Sequence, residues 1–536
     1  MTAVAPYRSE LAAGNDGFAQ LLRAEWTKFR TVRGWVIGLL VAVFLIVGLG
    51  ALGGLGSQCS VAPKTPSSPN PPPQACPAPP TGPDGEWVND SFYFVRQPLT
   101  GNGSITVRVT SLTGLYSTHG GIQPGQNQLS GMTPGVQSWS KAGIIIKAGT
   151  APGSAYAAMM VTGSHGVRMQ WNFTHDVAGL PGKASAASPR WLRLTRSGDV
   201  ITGYDSADGA HWTRVGTVTL TGLPSTVQAG PFAASPAYSV TSTSLGGSSS
   251  TGGPTLAIGA FDHVSRQGSW PAGRWTSGAL GADIPGSPVL PASVQGFRQA
   301  DGALTVSGSG DIAPAGGDAG STIENTLAGT FAGLIALVAI GAMFITAEYR
   351  RGLIRTTFAA SPRRGRVLAA KAVVLAAVTF VTGLIAVAIT IPLGEHLLRE
   401  NGNPIFPVTT LTWLRITAGT AALLAISAVL ALAIGTLLRR SAGAVTAVIA
   451  AIVLPYLLAV IPGILPPDAE EWLLRVTPAA AFAIQQSVPR YAHVAADYTP
   501  GSGYFPLASW AGFAVLCAWA ALAFVLALMA LRRRDA

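Results

Sequence analysis

The chain has 536 residues, 48% of them hydrophobic and only 11% charged, with a mean hydropathy of +0.38. That balance excludes an ordinary soluble globular protein and fits a membrane protein that carries an additional domain. The net charge of +11 does not mark a nucleic-acid surface: residues 56–326 are nearly balanced at 14 basic and 13 acidic side chains, whereas short segments flanking apolar runs carry 17 basic and 5 acidic. This is the positive-inside pattern, and it excludes nucleic acid as the partner.

Residues 1–17 are polar and small, without the pattern of a removable signal peptide. From Phe18 the apolar residues Phe18, Leu21, Leu22, Phe29 and Val32 recur at helical spacing, with Arg23, Lys28, Arg30 and Arg33 near the other face. Residues 1–34 are therefore read as a cytoplasmic N-terminus with an amphipathic helix lying on the inner membrane surface, the alternative being a charged flank that merely orients the next span. Residues 35–55 are the first span, uncharged, with five glycines for close helix contacts. A Pro-rich linker follows at 56–86. It contains Cys59 and Cys76, a candidate disulfide in an exported segment.

Residues 87–312 change to short alternating runs. Ile105, Val107 and Val109 alternate with polar neighbours, as do Val167, Met169 and Trp171, and Gly/Asn/Asp turns separate the runs. An antiparallel β-sandwich is expected, buried on one face of each strand. A linker at 313–326 returns the chain to the membrane. Spans are expected at 327–347, 372–391, 416–438, 442–465 and 507–531, the fifth kinked by Pro455 and Pro462. The outer loop 466–506 holds an apolar stretch at 478–488, read either as a re-entrant dip into the outer leaflet or as a cap on the bundle. The fold class is thus a polytopic α-helical membrane protein of six transmembrane helices, with a large all-β extracellular domain inserted between helices 1 and 2. Both termini are expected to be cytoplasmic, residues 56–326 extracellular, and the location a plasma membrane.

Residues 348–371, EYRRGLIRTTFAASPRRGRVLAAK, hold seven basic residues against Glu348 in a short loop between two spans. Their arginines could serve topology and lipid headgroups alone, but Gly352-Leu353-Ile354 and Thr356-Thr357-Phe358 add apolar content that a charge signal does not need. The charge-free spans lack the ion pairs and proton relays of coupled carriers, and the chain has no GxxxxGK[ST] loop to hold ATP. No Cys/His cluster has metal-ligand spacing, and the sandwich lacks the paired carboxylates of a glycosidase. No enzymatic activity, metal or bound cofactor is expected.

Two segments, LLRAEWTKFRTVRGW at 21–35 and AEYRRGLIRTTFAASPRRGRVLAAKAVV at 347–374, together with the six-span plan, resemble the permease subunits of exporter-type (type-two) ABC transporters. The resemblance implies a separate P-loop ATPase subunit carrying ATP and Mg, a homodimer or heterodimer of permeases, and a lipid environment. It places Glu25, Trp26, Lys28 and Arg30 in an elbow helix, and Glu348, Tyr349, Arg350, Arg355, Thr356 and Arg363 in or beside a coupling loop that docks on the ATPase. The β-region resembles concanavalin-like (laminin-G-like) sandwiches at 89–114, 139–147 and 204–216. The piece at 282–293 with 301–312, which usually precedes them, comes last here, so the domain is either circularly permuted or followed by a truncated copy. An extracellular glycan is the ligand this implies. The competing function is a membrane-anchored glycan or cell-wall receptor without transport.

Overall fold

The computed structural model describes residues 17–61, 74–117, 132–244, 247–281, 289–317, 319–360, 363–460, 464–495 and 498–533. The centre of the Pro-rich linker and the start of the 282–293 piece lie outside them. Ten α-helices are described: α1 (Phe18–Thr31), α2 (Arg33–Gly56), α3 (Ile323–Thr326), α4 (Thr330–Arg350), α5 (Leu353–Ala360), α6 (Arg364–Glu400), α7 (Thr410–Leu438), α8 (Ser441–Val460), α9 (Pro467–Val476) and α10 (Ser509–Arg533). Of these, α2, α4, α6, α7, α8 and α10 are long and apolar enough to cross a membrane.

The helices overrun the charge-free stretches expected as spans. α6 is the extreme case: its 37 residues rise about 55 Å, well beyond the expected 372–391. Val367 and Leu368 at one end and Leu398 at the other are buried, so the charged turns at both ends still have an apolar stripe to bury. Helix therefore covers most of the expected loop between Ile391 and residue 416, as the end of α6 and the first turns of α7, and Pro392 is accommodated inside α6. Likewise α4 starts at Thr330 rather than at residue 327, and α8 ends its described length at Val460, five residues short of the expected 465.

α4 and α7 form the buried centre, and α2 and α10 leave most of their surface for lipid. Small residues permit the close approaches. A Cβ on Gly341 of α4 would lie 2.3 Å from the Ala428 carbonyl oxygen of α7, and one on Gly50 of α2 would lie 2.6 Å from that of Thr326.

Every paired strand of the β-domain is antiparallel. Its pivot is the 26-residue strand Phe92–Ser117. The first part of it lies between Thr226–Ala234 and Thr276–Leu280, and the next between Arg190–Ser197 and Thr255–Ser269. Alternation puts Ile105, Val107, Val109, Ile144, Met159 and Leu192 into one core. The strands Lys141–Lys147 and Tyr156–Thr162 are buried on both faces, and Ile145, Tyr156 and Met160 enter a second core with Phe92, Phe94, Phe173 and Phe232.

That second face also buries two ion pairs, Lys141 Nζ to Asp311 at 2.5 Å and Lys147 Nζ to Asp90 at 2.8 Å. Asp90 lies in, and Asp311 immediately precedes, the pairing of Ile312–Pro314 with Val88–Asp90, which joins the entry and exit strands of the domain. The late strand Ala303–Gly308 lies in the main sheet, between Thr255–Ser269 and Gly296–Ala300. The residues from 303 onward are therefore built into this domain.

The domain sits directly on the bundle. The Trp87 and Phe406 rings lie 4.6 Å apart within an apolar cluster that includes Ala315, Val488 and Tyr504. His493 Nε2–H donates to the Phe173 carbonyl at 2.8 Å. Cys59 and Cys76 form a disulfide, and their amides donate to the carbonyls of Asn401 and Gly402 just after α6. The apolar stretch of the outer loop forms a 3-10 turn, Pro478–Gln485, in which every residue is buried. Phe482 packs on Phe331 at 4.6 Å and on Tyr456 at 4.7 Å, and Ile484 fills the space over Gly419. The stretch inserts among α7, α8 and α10 and is covered by protein, the condition under which non-helical backbone is tolerated beside a membrane.

Candidate functional site

At the end of the bundle opposite the β-domain, α1 lies across the start of α6 and the end of α4. Phe29 fixes it, buried between Trp35 and Phe344 at ring separations of 6.4 and 5.5 Å. One turn earlier on the same stripe stands Glu25, which is 2% exposed. Its Oε2 accepts from Lys371 Nζ at 2.7 Å and its Oε1 from Lys28 Nζ at 3.0 Å. Lys371 Nζ also donates to Glu348 Oε1 at 2.7 Å and lies 4.7 Å from the centre of the Phe344 ring. Lys28 completes the ring of charges at 3.4 Å from Glu348.

Two ammonium groups and two carboxylates thus join α1, the last turn of α4 and the first turns of α6, with no net charge. A buried ion needs such partners, since removal from water otherwise costs several kcal/mol. Burial by itself would lower the pKa of Lys28, but Glu25 and Glu348 outweigh it and hold the ammonium above its ordinary value.

α5 hangs between these anchored helices. Gly352, at φ +70°, takes the left-handed conformation that ends α4 and lets the chain turn. Ile354 is the buried foot of α5. Thr356 is exposed and its hydroxyl donates to the Leu353 carbonyl at 2.8 Å. Arg350, Arg351, Arg363 and Arg366 are exposed before and after it, forming a cationic rim beside a short helix.

The residues grouped by resemblance therefore divide. Glu25, Glu348 and Tyr349 turn inward; the Tyr349 hydroxyl is buried, and the Arg439 guanidinium lies 5.2 Å from its ring. Arg350, Thr356, Arg363, Trp26 and Arg30 face outward, and Lys28 is half-exposed with its ammonium turned to Glu25 and Glu348. The Arg355 side chain lies outside the described residues. Sequence reasoning missed Lys371, which it placed in the short basic loop between two spans, whereas it is fully buried inside α6. The signal was present. Glu25 interrupts the apolar stripe of Phe18, Leu22 and Phe29, and Lys371 falls one turn after Val367 and Leu368; an acid on one buried stripe calls for a base on another.

Among the described residues no group of three or more His, Cys, Asp or Glu side chains could hold a metal ion. The arrangement places a short outer helix, α5, between α4 and α6, which the buried ion network joins to each other and to α1.

Residues 19–536 match the family model described as ABC-2 family transporter protein. No curated protein matches the chain. Among solved structures, a functionally unknown protein from Saccharomyces cerevisiae is 17% identical over 37% of this chain and 85% of its own, with a TM-score of 0.21. Scytalido-glutamic peptidase with a transition state analog inhibitor is 8% identical over 41% and 98%, with a TM-score of 0.23. A mutant of the GH43 protein BlXynB from Bacillus licheniformis is 15% identical over 25% and 24%, with a TM-score of 0.17. At these TM-scores the likenesses carry no argument about fold or chemistry.

Proposed function

The chain belongs to the ABC-2 family of transporter proteins, and from that premise we propose that this multi-pass permease is an exporter component driven by a separate P-loop ATPase that docks on α5. The observation that carries the proposal is the buried Glu25–Lys371–Glu348 junction directly behind the cationic rim of α5. An ATPase that closes on ATP can move a permease only through contacts at the cytoplasmic face. In this reading a displacement of α5 passes along the chain to α4 and α6, which Lys371 joins to each other and to α1.

In this reading α1, α5 and both termini are cytoplasmic, as the excess of basic residues on that side supports. Residues 56–326 are then extracellular. The β-domain binds or guides cargo or a cell-wall glycan, and two permease chains assemble with the ATPase. ATP and Mg belong to the partner subunit.

The test is to reverse charge at Arg350, Arg355 and Arg363 together. The variant should insert in the membrane at wild-type levels and fail to couple ATP hydrolysis to transport. Normal coupling would return the arginines to a topological and headgroup role.

A further inference from the structure

One face of the β-domain is basic and aromatic. The strands Phe92–Ser117, Arg190–Ser197, Val200–Ser206 and Thr213–Thr219 lie side by side. Leu192, Leu194 and Ile201 turn inward to the first core, so their neighbours in sequence stand on the outer face. That face points away from the second core and from the bundle contact at Phe173. Across it the register sets Thr106, Arg193, Tyr204 and Arg214 in one row. The two arginines are two strand spacings apart, about 10 Å, with Tyr204 between them.

Arg193 is held in place from its own face. Its Cζ lies 3.8 Å from the centre of the Trp212 ring, and its Nε donates to Thr106 Oγ1 at 3.1 Å. Its two terminal nitrogens make no bond within the described residues. Arg214 is exposed on the edge strand and makes none either. In the adjoining row Arg108 stands opposite Trp191, but its charge is met by Asp262 at 2.6 Å. Arg193 and Arg214 therefore keep unmatched charge on a rigid sheet. One row further along, Thr202 and Thr217 bring their hydroxyls to 3.2 Å from each other.

We propose that this row binds an anionic glycan, a sugar polymer that carries carboxylate or phosphate groups. Arg193 and Arg214 each meet an anionic group through paired N–H donors, a sugar ring between them lies on Tyr204, and Thr202 and Thr217 hydrogen-bond to its hydroxyls. This narrows the reading in which the β-domain binds a glycan, and rests on it. A neutral glycan leaves both guanidinium groups unused. An acidic peptide supplies charge without a ring for Tyr204.

The test is biolayer interferometry of the full-length protein in a mild non-ionic detergent, with polygalacturonate, phosphorylated dextran, unmodified dextran and polyglutamate as probes. At least one of the two anionic glycans should bind roughly tenfold more tightly than dextran and polyglutamate, and the tighter of the two identifies carboxylate or phosphate as the recognised group. Arg193→Gln with Arg214→Gln should remove that advantage. Arg214→Glu alone, at an exposed position that leaves the Arg193 stack in place, should do so even if the double variant folds poorly. An advantage that survives both substitutions overturns this site and leaves the glycan reading standing. Equal affinity for dextran overturns the anionic class, and equal affinity for polyglutamate overturns the sugar. No binding of any probe overturns the proposal together with the reading it rests on.

Discussion

Replacing Lys371 by methionine removes one charge from the junction and preserves most of the side-chain volume. Glu25, with 2.7 Å and 3.0 Å contacts to Lys371 and Lys28, would keep only the second, and Glu348 would keep only a 3.4 Å contact to the half-exposed Lys28. Breaking a buried pair by deleting one partner costs about 3–5 kcal/mol. With Lys28 as a partial substitute, the lower end applies. About 3 kcal/mol corresponds to a factor of roughly 10² in the ratio of docked to undocked α1, at 1.4 kcal/mol per tenfold.

Amide hydrogen exchange over residues 18–31 in detergent should report this as faster exchange of about that factor, with α7 unchanged. The triple variant Glu25→Gln, Glu348→Gln, Lys371→Met leaves no unpaired buried ion. It should recover most of the protection, because a buried ion network replaced as a whole is close to neutral. Wild-type protection in Lys371→Met, or a triple variant as labile as the single one, would refute the role assigned to the junction.

Other consequences are open to measurement. The disulfide closes a loop 17 residues long, so Cys59→Ala should lower stability by about 3 kcal/mol, read as a lower melting temperature that added reductant does not lower further. Gly341→Leu would force a side chain against the Ala428 carbonyl; overpacking of about 1–3 kcal/mol should appear as a lower melting temperature and an aggregated fraction on gel filtration. Burial, reinforced by the Lys141 charge, holds the His493 imidazole below its usual 6.5 despite Phe173, Asp176 and Asp311. The unfolded state therefore binds more protons in that window, so this contribution is complete above about pH 6.5 and is lost as pH falls through the lower folded value. Exchange at residues 172–174 should rise on acidification in the wild type, and His493→Gln should flatten that dependence.

Much of the plan was legible because membrane helices announce themselves. Leu327–Ala347 and Ala372–Ile391 carry no charge, and the seven basic residues between them mark one side. Their ends were less so. α6 carries Arg364, Arg366 and Lys371 at one end and Glu395 and Glu400 at the other, and charge alone does not tell a helix leaving the membrane from a loop. The β-domain was legible from alternation at Ile105–Val109 and Val167–Trp171, but Lys141 and Lys147 read as surface residues until the strands carrying Asp90 and Asp311 close over them. The junction was hidden for a related reason. Glu25 and Lys371 are 346 positions apart, and a buried ion is recognisable only with its partner. The insertion of Pro478–Gln485 into the bundle depended on Gly419 and Gly512, which make room for Ile484 and for the Ala480 carbonyl.

The central claim is that α5 is the surface on which an ATPase acts. Thr356 is exposed on it and its hydroxyl bonds only locally, so Thr356→Cys carrying a photo-crosslinker, in native membranes, tests the claim most directly. The account predicts a protein adduct containing a GxxxxGK[ST] loop, with a yield that changes between ATP-free and vanadate-trapped membranes. Adducts to lipid alone, or a protein adduct indifferent to nucleotide, would contradict it.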